Sequence, residues 1–217
     1  CVVNGFTKNI LIGTEGSGGA SDGIEVSNCT ITGPGTNEWN LGIELAYAAN
    51  AEIRNNTVTG CYYALFMMTS NHASVEGNNF SYNQGPGVWM GGSCSGNSFV
   101  GNLVACNGYG NALMSVEGSN NQFYGNAFIT SSISNQINIG LMMSANLWNS
   151  SGGIGNYWGN QYNSGLGQNG SFSGTSVDWN GQAVQTHIVG TNNVDNHPYR
   201  YIIDAPAITD LVVGGNS

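Results

Sequence analysis

Ile53-Arg54-Asn55-Asn56-Thr57-Val58, Val75-Glu76-Gly77-Asn78-Asn79-Phe80 and Phe99-Val100-Gly101-Asn102-Leu103-Val104 are three copies of one phrase. Each reads apolar residue, two residues, Asn, one residue, apolar residue. Phe123-Tyr124-Gly125-Asn126-Ala127-Phe128 is a fourth copy, and successive asparagines stand 22, 24 and 24 residues apart. Self-similarity at a fixed period in the twenties is the mark of a solenoid. The apolar spacing within each copy is two, and the abundant Gly and Asn are poor helix formers, so the repeating unit is built of strands.

The phrase extends in both directions. Val26/Cys29/Ile31 carries Cys in the Asn slot, Cys1-Val2-Val3 does the same, and Asn156 in Gly155-Asn156-Tyr157-Trp158 falls at the far end. The ladder therefore reads Cys1, Cys29, Asn56, Asn78, Asn102, Asn126, Asn156. Small polar side chains stacked at an inward-facing bend bond to the backbone of the next coil, which a buried turn requires. Cys in the same slot acts as a small buried hydrophobe. Adjacent strands lie about 4.8 Å apart, so a Cys1–Cys29 disulfide is geometrically open, with two stacked free thiols as the alternative.

A second strand recurs between the phrases, at Ile10-Leu11-Ile12, Ile43-Glu44-Leu45, Leu65-Phe66-Met67, Val88-Trp89-Met90, Ala112-Leu113-Met114 and Leu141-Met142. Its inward column is Ile12, Leu45, Met67, Met90, Met114, Met142. Strand alternation then turns Leu11, Glu44, Phe66, Trp89, Leu113 and Leu141 outward. The chain reads as an all-β parallel β-helix of about six or seven coils over residues 1–160. An irregular C-terminal cap follows over 161–204, with strands expected near Val177–Asn180 and Gln182–Val189, a Gly/Asn/Ser loop over Gln161–Ser176 and a turn at Asn192–Tyr199. A tail or linker strand occupies 205–217. Insertions fall at 13–23, 33–40 and 130–138, where the period stretches.

Composition narrows the function. Only 7% of the 217 residues are charged, Lys and Arg total three, and the formal charge is −9. A chain so poor in cations has no electrostatic footprint for a phosphate backbone or a polybasic membrane contact. No apolar run approaches the roughly 18 residues of a transmembrane helix. Aromatic residues at 10% and the regular apolar triplets exclude disorder. Opening at Cys1 without a signal peptide, the chain reads as a mature form or a fragment. Asn-x-Ser/Thr sequons at Asn28, Asn55, Asn79, Asn149 and Asn169 are glycosylation candidates, and the surface chemistry fits an extracellular or cell-surface setting.

The coils resemble those of the NosD-like, carbohydrate-binding and sugar-hydrolysis superfamily. Gly155-Asn156-Tyr157-Trp158-Gly159-Asn160 and, further on, Val194-Asp195-Asn196-His197-Pro198-Tyr199 resemble the C-terminal signature of NosD-like surface proteins. The resemblance implies a right-handed β-helix over about residues 1–160. It leaves activity open, because the superfamily spans lyases, hydrolases, adhesins and structural proteins. The acidic Asp/Gly run that family members often carry between the two motifs is replaced here by Gly, Asn and Ser.

Chemistry is sparse. Glu25, Glu44 and Glu52 are the candidate catalytic carboxylates, since glycoside hydrolysis needs a carboxylate pair. The competing reading of this surface is structural, with an Arg54–Glu76 ion pair between coils. The constellation of a Lys or Arg base among several cations that β-helix lyases use, and the clustered Asp with Gly-His-Gly that polygalacturonase-type hydrolases resemble one another in, are both missing. Phe66, Trp89, Leu113 and Leu141 form an outward apolar stripe suited to stacking a sugar or meeting a protein, unless another segment covers it. The Met column invites a soft-metal reading and His187, His197 and Asp195 a second one. Core filling is the stronger account of the methionines, and the histidine spacing is not diagnostic, so no metal and no cofactor is expected. Leu211, Val212 and Val213 form an apolar tail strand suited to pairing with a neighbour. The sequence thus reads as a non-catalytic surface or structural module whose partners are other copies or neighbouring domains. A carbohydrate-binding or polysaccharide-cleaving module is the alternative.

Overall fold

The computed structural model describes residues 1–13, 21–35, 39–105, 107, 114–129, 137–139, 146–158, 172–177, 183–190 and 193–195. Among them there is no helix; three parallel sheets of five or six strands run along one axis, and Ser21–Asp22 pairs in parallel with Ala48–Ala49 as a small fourth. The first sheet stacks Val2–Asn4, Thr30–Thr32, Thr57–Thr59, Asn79–Ser81, Leu103–Ala105 and Ala127–Ile129. The second stacks Lys8–Gly13, Leu41–Ala46, Tyr63–Met68, Val88–Gly91, Met114–Val116 and Ile137–Ile139. The third stacks Glu25–Ser27, Glu52–Arg54, Ser74–Glu76, Ser98–Val100 and Gln122–Tyr124. The chain visits third, first and second sheet in turn and so traces a parallel β-helix. Six strands in a sheet are separated by five steps, slightly fewer coils than the six or seven read from the repeat.

The recurring phrase is the corner between the third and first sheets. A three-residue strand ends, one residue takes a positive φ, the ladder residue points inward, and the next strand begins. The positive-φ column is Asn28 (53°), Asn55 (53°), Gly77 (64°), Gly101 (63°) and Gly125 (66°). Only Gly, and Asn among side-chain-bearing residues, tolerates this region readily, which is why those two types precede each ladder position. Each corner is fastened to the next coil through its backbone, as in Asn55 N–H to Glu76 O at 3.0 Å and Gly77 N–H to Val100 O at 3.0 Å.

Inside, like stacks on like. Val26, Ile53, Val75, Phe99 and Phe123 form one column, and Val3, Ile31, Val58, Phe80, Val104 and Phe128 another. Val26 thus falls opposite Ile53. Both columns become aromatic toward the C-terminal end. Phe99 stacks on Phe123 with centroids 5.0 Å apart, Phe123 on Trp148 at 4.4 Å, and Phe128 on Trp158 at 4.8 Å. Both tryptophans are fully buried. Stacked pairs of this kind add about 0.5–1.5 kcal/mol each beyond the area they bury.

In the second sheet, Ile12, Leu45, Met67 and Met90 share the expected inward column, but Val116 follows Met90, and Met114 lies opposite Val88. The register is two residues from the one expected. Met114 and Val116 both point inward, so alternation alone does not choose between them. The outward column accordingly runs Leu11, Glu44, Phe66, Trp89, Ser115, with Asn138 next in register. Ser115 replaces Leu113 beside Trp89; Leu113, Leu141 and Met142 lie outside the described residues.

Beyond the coils, Phe172–Val177, Ala183–Gly190 and Asn193–Asp195 form a three-stranded antiparallel sheet. The first of these strands occupies part of the stretch read as loop, and the third part of the stretch read as turn. The tail residues Leu211, Val212 and Val213 and the sequon Asn169 lie outside the described residues.

Candidate functional site

The polar interior is the most developed feature of the molecule. In the corner ladder each carboxamide oxygen accepts from the coil before it. Cys29 N–H donates to Asn56 Oδ1 at 2.9 Å, and Asn56 N–H and Nδ2 donate to Asn78 Oδ1 at 2.9 and 3.0 Å. The pattern repeats from Asn78 to Asn102, Asn102 to Asn126 and Asn126 to Asn156 at 2.9–3.1 Å. The remaining Nδ2 proton reaches back to a carbonyl of the preceding coil, as from Asn78 to Ile53 O at 2.8 Å. At the first position Cys1 and Cys29 are joined by a disulfide with Cα atoms 4.4 Å apart. At the last, Asn156 donates from its backbone N–H (2.8 Å) and from Nδ2 (3.2 Å) to Asp195 Oδ2, which also accepts from Trp158 Nε1 at 2.9 Å. The two C-terminal sequence motifs therefore meet in space.

Further ladders escaped the reading of the phrase. Asn97, Asn121 and Asn146 repeat the geometry before the third sheet, beginning at Ala73 N–H. Cys61, Asn83 and Asn107 repeat it after the first sheet. Shorter still is Ala48 N–H to Ser70 Oγ at 3.1 Å, followed by Ser70 N–H to Cys94 Sγ at 3.4 Å. Their sequence offsets of 22 to 25 residues match those of the first ladder.

The outer candidates are dispersed. Glu25 and Glu52 are register neighbours on the third sheet, while Glu44 lies on the second. Glu52 Oε2 is held by Arg54 Nη2 at 3.0 Å, and the cross-coil contact from Arg54 Nε to Glu76 Oε2 is longer, at 4.0 Å. Glu44 is 5% exposed and pairs with Lys8 Nζ at 2.9 Å. Phe66 is only 7% exposed, packed against Trp89 at 4.5 Å and Tyr63 at 5.5 Å. The expected stripe is thus largely covered, and half-buried Trp89, Tyr62 and Tyr63 are what it presents. Of the sequons, Asn28 and Asn55 are exposed, whereas Asn79 and Asn149 are half-buried and Asn79 Oδ1 accepts from Ser81 Oγ at 2.6 Å.

The family model for the periplasmic copper-binding protein (NosD) matches residues 3–164, about three quarters of the chain. The chain belongs to the NosD family. No curated protein and no solved structure matches it. The matched span ends just past Asn156 and Trp158, so the NosD unit comprises the coils and the donors that meet Asp195.

In this NosD-family chain the described soft donors lie in the core, with Met67 and Met90 stacked as register neighbours, except Met68, which is exposed. Met67 and Met90 are fully enclosed among Leu65, Val88 and their neighbours in the core. Burial pushes the Cys61 thiol up to about 12, against a weaker opposing hydrogen bond with the Gly33 backbone. Burial likewise raises Cys94. Both are held as neutral thiols rather than thiolate ligands. His72 is exposed at a positive-φ corner. Among the described residues no three His, Cys, Asp or Glu side chains converge.

Proposed function

We propose that this NosD-family chain is an exported, non-catalytic β-solenoid module that serves as a rigid structural element at the cell surface or in the periplasm. The observation that carries the reading is the use made of its polar residues: the asparagines of three ladders are turned inward and spent on joining coil to coil. The disulfide between the first two coils supports an oxidising compartment, and the family description supports the periplasmic side of a membrane. That description also names copper. The donor set of the described residues does not fit it, because Met67, Met90 and Met114 are walled into the core, Met68 is the one described thioether at the surface, no three His, Cys, Asp or Glu side chains converge among the described residues, and burial raises both thiols. Fractionation of native cells, with trapping of free thiols, tests the reading. Recovery outside the cytosol with Cys1 and Cys29 oxidised is expected; cytosolic protein with both thiols free overturns it. Purified protein should also release no reducing ends from polysaccharides, and release abolished by Glu52→Gln would overturn the non-catalytic assignment.

We further propose that copies associate through the first coil. Among the described residues its strands at Val2–Asn4, Lys8–Gly13 and Glu25–Ser27 are each paired on one side only. Val2, Phe6, Leu11 and Ile24 are exposed there. Such an edge accepts a strand, and the apolar segment Ile208–Val213 of a second copy is the one to supply it. Sedimentation velocity should show concentration-dependent association that deletion of 208–217 removes. Association unaffected by the deletion sinks this.

Trp89 favours a second reading. Half-buried, stacked on Phe66 at 11° and flanked by Tyr63, it offers a face for a neutral sugar ring. Glycan-array binding lost in Trp89→Ala with folding retained is the expected signature, and an array without hits refutes it.

A further inference from the structure

We propose that Asp195 is a clasp that terminates the amide ladder and holds the C-terminal antiparallel sheet against the end of the solenoid. The ladder has a direction. Every asparagine of the ladder passes its backbone N–H and one Nδ2 proton forward, from Asn56 to Asn126 onto the carboxamide oxygen of the following coil, so the last, Asn156, must find an acceptor in something other than a coil. Asparagine at that place would accept the two bonds and then present its own forward donor, buried and in need of a further partner. A carboxylate accepts and passes no donor on. Its charge also makes the three N–H bonds it receives stronger than neutral ones, and it lies at the donor end of a row of aligned side-chain amides, where negative charge is favoured.

The surroundings fit that role. Asp195 is fully buried and closes the strand Asn193–Asp195, which pairs with Ala183–Gly190. It is 39 residues from Asn156 and 37 from Trp158. The bond from Trp158 Nε1 ties the same oxygen to the indole that ends an aromatic column. One side chain therefore secures both the last polar rung and the last aromatic rung, and the matching of the two sequence motifs is explained by a contact between them.

Hydrogen exchange on the full chain tests the clasp. In Asp195→Ala, amides of 146–158 and 183–195 should exchange at least tenfold faster than in the wild type, while Ile53–Val104 keeps its protection. Asp195→Asn retains the acceptor and loses the charge, so it should raise exchange in the same segments to a smaller degree; it decides the matter if the alanine variant does not fold. Trp158→Phe removes one donor and should fall between the asparagine variant and wild type. Unchanged exchange at 146–158 in Asp195→Ala, or acceleration spread evenly over all coils in Asp195→Asn, overturns the proposal.

Discussion

Replacing Asn78 with alanine should cost about 3–5 kcal/mol and uncouple the coils on either side of it. Asn78 is 1% exposed and makes five side-chain hydrogen bonds. Truncation does not harm all the partners equally. Asn102 Oδ1 keeps the backbone N–H of residue 78, Glu76 O keeps Asn55 N–H, and Asn56 Nδ2 keeps Val26 O. Asn56 N–H and Ile53 O lose the partners that Asn78 supplied. An orphaned buried N–H such as that of Asn56 costs about 1–3 kcal/mol, and the bond lost at Ile53 O, which keeps its strand ladder, with a small cavity adds about 2 kcal/mol, which gives the stated range. This is about a fifth or more of the roughly 5–15 kcal/mol stability of an ordinary domain. In a solenoid each coil contacts only its neighbours, so the loss is local and the N-terminal coils should unfold ahead of the rest. Denaturant unfolding followed by near-ultraviolet dichroism should show a lower midpoint and a shallower transition. The control is Asn55→Gly, which places at a positive-φ corner the residue that three later coils already use, and should change stability by less than about 1 kcal/mol. A loss below about 1 kcal/mol in Asn78→Ala would refute the view that the ladder holds coils together.

Other perturbations follow from the same structure. Reducing the Cys1–Cys29 bond, which closes a 28-residue separation, should lower stability by at most about 3–4 kcal/mol, read as the shift in midpoint with and without reductant. The effect should be smaller where only the first coil frays. Cys61 and Cys94 should resist alkylation in the native state and react at once on unfolding. Because folding raises the Cys61 pKa from 9.0 to about 12, its contribution is intact below pH 9.0 and lost as the pH climbs toward about 12, so alkaline midpoints should fall over that interval and less so in Cys61→Ala. Arg54→Gln should cost under about 1 kcal/mol, and less still in high salt, since its contacts to Glu52 and Glu76 join side chains that are 40–54% exposed.

The coil was legible because three constraints coincide in six residues: an inward apolar residue, a carboxamide, and a second apolar residue two places on. The Gly or Asn before the carboxamide was equally visible, in Asn55, Gly77 and Gly101, and marks the positive-φ corner. The other ladders were harder to see because they begin with residues that are not asparagine. Ala73 precedes Asn97, and Cys61 precedes Asn83, so a search anchored on asparagine loses the column after two or three coils. The regular offset from Asn83 to Asn107 and from Asn97 to Asn121 was the available signal. The second-sheet register failed at Met114 because Val116 is also apolar, and a period of two carries no information on shifts of two. Burial of Glu44 and Phe66 on an outward column is a tertiary effect beyond any local pattern. Asp195 was out of reach for a different reason: it meets Asn156 across 39 residues that do not repeat.

Four rows of contacts all keyed to one step mean that the molecule changes length in quanta. Excision of 78–101, a 24-residue unit, rejoins Gly77 to Asn102 and restores the succession Asn56 to Asn102, Ala73 to Asn121 and Cys61 to Asn107. Loss of one residue fewer turns every inward side chain of the following strands outward. Point insertions inside the strands are therefore excluded, extra residues are taken up between them, and duplication of a single gene segment is the natural way for such a rod to grow by whole coils.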